Sequence, residues 1–206
     1  MNVKEIINTT LNLVIFCVIV GFLLSGYNMI TKDKILANQT KDIEDAQMKL
    51  LAASRSDKIE EKPIGKLPTV KQALMDKKPV GAVKVLKNNK FVGYVVLATT
   101  YGYSSNIIVM YSLSPDYKID AVEIVSQNET PGLGTRIEEN VPIPQFDGKP
   151  FVSQFEGKSF EAIRITGAAT PNPDSIAAIT GATISSKAVV KAIHDSLETL
   201  KKEMEK

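Results

Sequence analysis

The sequence predicts an α+β domain attached to an N-terminal transmembrane helix. Three observations predict this fold class: a long uncharged apolar run near the N-terminus, four β-rich runs with turn residues between them, and apolar residues at helical spacing near the C-terminus. We expect a twisted, mainly antiparallel sheet with one covered face and a packed C-terminal helix. The length of 206 residues suits one domain of about 100–200 residues and an appendage.

The apolar run occupies residues 6–30, which include no charged side chain. A transmembrane helix needs about 20 such residues, whereas the apolar part of a signal peptide has about 7–15 and is followed by a small-residue cleavage site. No such site follows the run, and Phe16 precedes Cys17, which argues against lipid attachment at this cysteine. A membrane anchor is therefore favoured over a cleaved signal or a buried soluble helix.

The chain is predicted to divide into three parts: residues 1–31 as tail and transmembrane helix, residues 32–68 as amphipathic helix and connector, and residues 69–206 as the domain. Residues 31–53 contain no glycine or proline and predict a helix, which either continues from the span or follows a short break. Residues 54–68 are polar and contain Pro63, Gly65 and Pro68, so they predict a connector between span and domain.

The predicted strands come in two hairpins. Residues 80–86 and 91–98 flank an Asn-Asn turn, and residues 107–113 and 119–125 flank Ser114-Pro115-Asp116. A fifth short run, residues 162–166, follows a segment rich in Gly, Pro and Phe at 142–157. From Ser185 onward, apolar residues recur at helical spacing among charged ones, which predicts the last helix.

Composition excludes several functions. A net charge of +2, with 44% hydrophobic and 23% charged residues, argues against a disordered chain and against a nucleic-acid-binding protein. A single cysteine, Cys17, and a single histidine, His194, make a metal centre built from these residue types improbable. Any chemistry must then use carboxylates, hydroxyls, lysines or a bound cofactor, and the sequence predicts no catalytic residue.

Residues 180–187 (TGATISSK) form a glycine-containing turn where the last helix opens. The first N–H groups of a helix are unpaired and carry partial positive charge, so this position can bind a phosphate. Hydroxyls at Thr180, Thr183, Ser185 and Ser186 add donors. The residues alone favour a simpler interpretation, in which a Ser or Thr caps the helix and binds no ligand.

Residues 129–135 (ETPGLGT) form a second candidate segment. Proline and two glycines predict a tight loop whose backbone can approach a flat or anionic ligand closely. We expect positive φ or a close backbone approach at Gly132 or Gly134. The alternative is an ordinary connector after a strand.

Taken together, the two segments resemble the FMN-binding subunits of ion-motive respiratory complexes, and in particular the G subunit of the Rnf electron-transport complex. The resemblance rests on TGAT at 180–183 with Ile184, Ser185 and Ser186, on Asp174, on ETPGLGT, on the order of these segments and on the single N-terminal span. The C subunit of the sodium-translocating NADH:quinone reductase shares the domain but is typically longer, and it is the second choice.

The resemblance implies that FMN is attached through its phosphate to the hydroxyl of Thr183. It implies a subunit that passes electrons between ferredoxin and NAD while the complex moves Na⁺ or H⁺. The implied partners are other membrane and iron–sulfur subunits and a flavin transferase that uses FAD. The remaining candidate cofactor-binding residues are Thr180, Gly181, Ala182, Ser185, Glu129, Thr130, Gly132, Leu133, Gly134 and Tyr103.

The chain departs from the family where a GYGG-like turn is usual, because Ser104 and Ser105 follow Gly102 and Tyr103. Tyr103 either lines the flavin or packs at a strand edge.

The side of the membrane also comes from the resemblance. Lys32 and Lys34 argue weakly for a cytoplasmic domain, whereas the resemblance implies a domain on the extracytoplasmic side of the cell membrane. Two other classes of function remain open: a structural or sensory membrane protein, and a free-standing flavin reductase.

Overall fold

A computed structural model describes residues 3–138, 143, 146–163, 165–166 and 175–205 of the chain. The chain forms two compact units, Met1–Lys41 and Asp42–Lys206. Helix α1, Val3–Ala53, begins in the first unit and ends in the second. All but one of its large apolar side chains between Leu11 and Leu24 are exposed, Val20 being half-buried. Among the described residues, α1 alone is long and apolar enough to cross a membrane.

The second unit is built on a five-stranded antiparallel sheet in the order β1-β2-β3-β4-β5. Its strands are β1 Lys58–Glu60, β2 Val80–Lys87, β3 Lys90–Tyr101, β4 Asn106–Leu113 and β5 Ile119–Ser126. Helices α2, Val70–Met75, and α3, Thr183–Met204, pack on it together with the end of α1. The α+β class and the packed C-terminal helix are confirmed.

Both faces of the sheet are covered, so the expectation of one covered face was wrong. Along β3, Tyr94, Val96 and Ala98 pack in a core that includes α3. The alternate residues Val95 and Leu97 pack in a second core with α2 and the end of α1. A sheet buried on both faces needs apolar side chains at nearly every position, which explains why β3 and β4 are almost continuous apolar runs.

The end of α1 belongs to this second core. Ile43, Ala46 and Leu50 are buried there at 3%, 5% and 0% exposure. These residues recur at helical spacing, which is the pattern of a helix with one covered face.

Residues 54–68 are more structured than the predicted polar connector. They contain β1, which pairs with β2, and an antiparallel bridge between the buried residues Ile64 and Leu67. Thr69 caps α2 in a reciprocal arrangement with Gln72. The Thr-x-x-Gln spacing of such a capping box was present in the sequence and could have predicted α2.

The last two predicted elements have different bounds. Helix α3 begins at Thr183, ahead of the predicted Ser185. Within residues 162–166, Ala162 ends a 3-10 turn, and the strand is only β6, Ile165–Thr166. Strand β6 pairs in parallel with β7, Ile176–Ala177, outside the main sheet. Residue 164 and parts of the segment at 142–157 lie outside the described residues.

Candidate functional site

Three loops meet at one edge of the sheet. Strands β3 and β5 both pair antiparallel with β4 and therefore run in the same direction, so their C-terminal ends share an edge. The turn at 102–105 follows β3, the loop at 127–133 follows β5, and the turn at 180–182 precedes α3. They enclose a pocket of about 460 Å³. Its lining residues are Tyr103, Thr130, Leu133, Gly134, Gly181, Ala182, Thr183, Ile184 and Ser185.

Helix α3 opens on this pocket without a capping side chain. Its N-cap residue is Ala182, and no side chain makes a cap hydrogen bond there. Alanine is among the poorest N-cap residues because it offers no acceptor to the first N–H groups of the helix. The simpler interpretation, in which a Ser or Thr of this turn caps the helix, is therefore not what the structure has.

The hydroxyls around this helix start have different surroundings. Ser186 is buried, and its Oγ accepts from the Ile179 N–H at 3.1 Å and donates to the Ala182 carbonyl at 2.9 Å. Ser185 is buried and donates to Glu129 Oε2 at 2.6 Å. Thr180 and Thr183 are exposed, and of these two only Thr183 lines the pocket. The structure thus distinguishes residues that the sequence pattern treated alike.

Glu129 lies behind the pocket wall rather than in its lining, with 3% of its surface exposed. Oε2 accepts from the Tyr103 N–H at 2.8 Å, and Oε1 accepts from the N–H groups of Ser104 at 3.1 Å and Ser105 at 3.0 Å. Burial by itself raises the pKa of Glu129, but hydrogen bonds from the Ser185 hydroxyl and these N–H groups outweigh it and lower the pKa to about 2. The carboxylate is therefore ionised at neutral pH.

Ser104 and Ser105 hold the turn at 102–105. The Ser104 hydroxyl donates to the Asn128 carbonyl at 3.0 Å, and the Ser105 hydroxyl accepts from the Asn128 N–H at 2.8 Å. Their hydroxyls therefore tie this turn to the loop after β5. Tyr103 lies at the pocket and is 64% exposed, so it does not pack into the strand edge.

Each of the two loop glycines has a separate reason to lack a side chain. Gly132 has a φ of +73° and open space around it. A Cβ at Gly134 would lie 2.6 Å from the Glu129 Cβ and 2.8 Å from the Ser185 Oγ. The sequence predicts positive φ or a close approach at one of these glycines, and the structure has positive φ at Gly132 and a close approach at Gly134.

Most of the predicted site residues gather at this pocket. Glu129, Thr180 and Gly132 do not line it, although all three belong to the loops that form it. Ile184 was not singled out as a site residue, yet it lines the pocket and is 54% exposed. The sequence signal that could have identified it is an apolar residue near the start of the last helix that falls outside the spacing of that helix's other apolar residues. Asp174 lies outside the described residues.

The comparisons with known proteins concern the same region. Residues 102–198 match the family model of the FMN-binding domain, a range that includes all three pocket loops. The chain is 32% identical to the G subunit of the proton-translocating ferredoxin:NAD⁺ oxidoreductase complex of Clostridium ljungdahlii. The match covers 95% of this chain and 91% of that subunit. The chain belongs to the family of these G subunits. This confirms the resemblance to the Rnf G subunit.

Another G subunit and a solved structure are also similar to this chain. The G subunit of the Na⁺-translocating ferredoxin:NAD⁺ oxidoreductase complex of Acetobacterium woodii is 34% identical over 54% of this chain and 50% of its own length. The crystal structure of Shewanella oneidensis NqrC matches 72% of this chain and 70% of its own, with 21% identity and a TM-score of 0.45. The two G subunits, one named for proton translocation and the other for Na⁺ translocation, are thus 32% and 34% identical to this chain over the ranges that match.

Proposed function

We propose that this protein carries FMN as a phosphoester on Thr183 and passes electrons between ferredoxin and NAD within an ion-translocating membrane complex. The observation that carries the proposal is the position of Thr183. It is the first residue of α3, it is exposed on the pocket wall, and the helix start beside it has no capping side chain. A phosphate there would meet N–H donors and the positive end of the helix dipole.

The pocket also suits the rest of the cofactor. Its volume of about 460 Å³ lies within the range of about 300–1,000 Å³ found for small-molecule sites. Tyr103, Leu133 and Ile184 expose 64%, 46% and 54% of their surfaces beside it, and such side chains can cover a flat aromatic ring. FMN supplies the redox chemistry when bound, and the chain's residues supply orientation and electrostatics.

Attachment requires a second protein, the flavin transferase. In the proposed step, the Thr183 hydroxyl oxygen forms a bond to the phosphorus of the FMN half of FAD. The pyrophosphate bond breaks, AMP leaves, and the hydroxyl proton is released. An exposed threonine in a turn is accessible to such an enzyme, whereas the buried hydroxyls of Ser185 and Ser186 are not.

The remaining features fit a component of a membrane complex. The exposed apolar part of α1 suits an anchor in the cell membrane. We place the domain on the extracytoplasmic side, with other membrane and iron–sulfur subunits as partners. The related G subunits are named for complexes that use ferredoxin and NAD⁺, which supports this assignment.

The deciding experiment compares the wild-type chain with Thr183→Val and Thr180→Val, each co-expressed with a flavin transferase. We expect fluorescent bands on denaturing gels for the wild type and for Thr180→Val, each with the mass of one FMN phosphoester, and no such band for Thr183→Val. A fluorescent Thr183→Val band would refute the attachment site. Loss only in Thr180→Val would move the acceptor to Thr180.

A further inference from the structure

We propose that Glu129 is a positioning residue, whose buried carboxylate joins the Tyr103 turn to the first turn of α3 and so holds Thr183 and Tyr103 in the arrangement that FMN attachment requires. The inference rests on the proposed function for its flavin readouts. Glu129 does not line the pocket itself. Its effect on FMN therefore passes through the residues that it holds.

The hydrogen bonds of Glu129 reach both walls of the pocket. On one side it accepts from three consecutive N–H groups, those of Tyr103, Ser104 and Ser105, at 2.8–3.1 Å. On the other side it accepts from the Ser185 hydroxyl at 2.6 Å, two residues after Thr183. One side chain thus connects segments that lie far apart in the sequence, and Tyr103 and Thr183 both belong to the segments that it connects.

The backbone packs so closely around the Glu129 side chain that the adjacent residues Gly102 and Gly134 have no space for a side chain of their own. A Cβ at Gly102 would lie 2.6 Å from Glu129 Oε1, and a Cβ at Gly134 would lie 2.6 Å from the Glu129 Cβ. Glycine is therefore needed on both sides of the carboxylate, one in each adjoining loop. Because Gly134 also lines the pocket, a shift of Glu129 would reach the pocket wall directly.

The contacts require an ionised acid. A carboxylate is an acceptor at both oxygens, and each hydrogen bond that the structure assigns to the Glu129 carboxylate comes from a neutral N–H or O–H donor. A glutamine at this position would place an NH₂ group against the donors on one side. It would also remove a negative charge from behind the pocket. Because a nearby negative charge opposes the addition of an electron, a nearby flavin would then be easier to reduce.

The test uses the full chain with a flavin transferase and FAD, and it compares Glu129→Ala, Glu129→Gln and Ser185→Ala with Ser196→Ala as the matched control. Ser196 also lies on α3 and makes a buried hydrogen bond, with the Tyr111 hydroxyl at 2.7 Å, but it is not part of the pocket. We expect initial flavinylation rates to fall at least about tenfold in Glu129→Ala, since small misplacements of reacting groups cost this much or more. The initial flavinylation rates of Glu129→Gln and Ser185→Ala should lie between those of Glu129→Ala and Ser196→Ala.

Two further measurements separate positioning from a loss of stability. In the flavin-free protein, hydrogen exchange at residues 103–105 should accelerate in both Glu129 variants, and exchange in β4 should not. In the fraction of Glu129→Gln that does carry flavin, the midpoint potential should rise, and in Ser196→Ala it should not. If Glu129→Ala does not fold, Glu129→Gln and Ser185→Ala still decide the question.

The role of Glu129 would be overturned if its variants were flavinylated, per folded molecule, at the same rate as Ser196→Ala and showed unchanged hydrogen exchange at residues 103–105. That outcome would leave the proposed function intact, provided that the wild type is flavinylated and Thr183→Val is not. An unmodified wild type would refute the proposed function instead, and the exchange measurement would still test whether Glu129 holds the two walls.

Discussion

The two walls of the pocket are built in different ways. The wall that bears Thr183 is the start of a 22-residue helix, and Ala182, Ala188 and Val189 anchor it in the main core. The opposite wall consists of the turn at 102–105 and the loop at 127–133, and this loop has little apolar anchorage, since Gly132 is in open space and Leu133 is 46% exposed. Hydrogen bonds of Glu129 and the serines of the neighbouring turn hold that loop.

This difference separates attachment from orientation. In the proposed attachment, a helix start fixed by core packing would give the phosphate a rigid site, and a loop held by hydrogen bonds would shape the ring's surroundings without changing the attachment atom. Substitution of Thr183 on the helix side should therefore abolish attachment, whereas substitutions on the loop side should alter the flavin's environment and slow attachment only where they displace Glu129.

The largest effect on the loop wall is expected for Gly134→Val. Its side chain would overlap Glu129 and Ser185, and overpacking of this kind typically costs about 1–3 kcal/mol in the free energy of unfolding. We expect slower flavinylation and a shifted flavin absorbance. Gly81→Ala is the control, because its Cβ would lie 2.5 Å from the Ala73 Cβ, outside the pocket. Equal effects of both variants on the flavin of folded protein would contradict a special role for Gly134.

A smaller effect is expected on the free energy of unfolding when the pH is lowered and Glu129 becomes protonated. The folded-state pKa of Glu129, about 2, lies below the value of about 4.3 expected in the unfolded chain. Its contribution to stability is therefore fully present above about pH 5 and is lost as the pH falls toward 2. Denaturant unfolding of the wild type and Glu129→Gln should give free energies that differ at pH 7 and converge as the pH falls to 3.

Glu123→Gln is the control for this pH series. Glu123 makes an exposed ion pair with Lys49 at 3.0 Å, and such pairs contribute only about 0–1 kcal/mol. A difference between wild type and Glu129→Gln that stays constant from pH 7 to pH 3 would show that the carboxylate is not held in its ionised form.

Gly132→Val should have a milder and more local effect. Its φ of +73° strains a branched side chain by about 1–2 kcal/mol, but the space around it is open. We expect attachment to persist while flavin absorbance or potential shifts. Gly157→Val is a matched control, since Gly157 has a φ of +74° and equally open space. Full flavinylation with unchanged absorbance in Gly132→Val would make this part of the loop a plain connector.

The smallest effect is expected from deletion of residues 1–30. The second core keeps Ile43, Ala46 and Leu50, so the remaining chain should be soluble and should be flavinylated at the wild-type rate when the transferase shares its compartment. Gel filtration and in-gel fluorescence measure both properties. A longer deletion, through Ala53, should destabilise the domain because it uncovers part of one face of the sheet. An insoluble or unmodified product from the shorter deletion would show that the span is needed for folding or maturation.

Local patterns in the sequence are enough to predict the class of fold and the two segments of the site. Four strands, the C-terminal helix and the apolar span follow from the local spacing of apolar residues, and TGAT and ETPGLGT stand out as short motifs. The Thr-x-x-Gln signal before α2 was equally local and was missed. The second covered face of the sheet was also missed, because a continuous apolar strand does not reveal what packs on either side.

The separate surroundings of the individual residues in these segments depend on the packed fold. Thr180, Thr183, Ser185 and Ser186 are chemically similar, and their roles separate only once the fold buries Ser185 and Ser186 and leaves Thr183 exposed at the pocket. Glu129 meets Ser185 across 56 residues of sequence and the Tyr103 turn across 26. Contacts of this kind depend on how strands, loops and helix pack together, because local patterns determine elements but not the distant partners of a side chain.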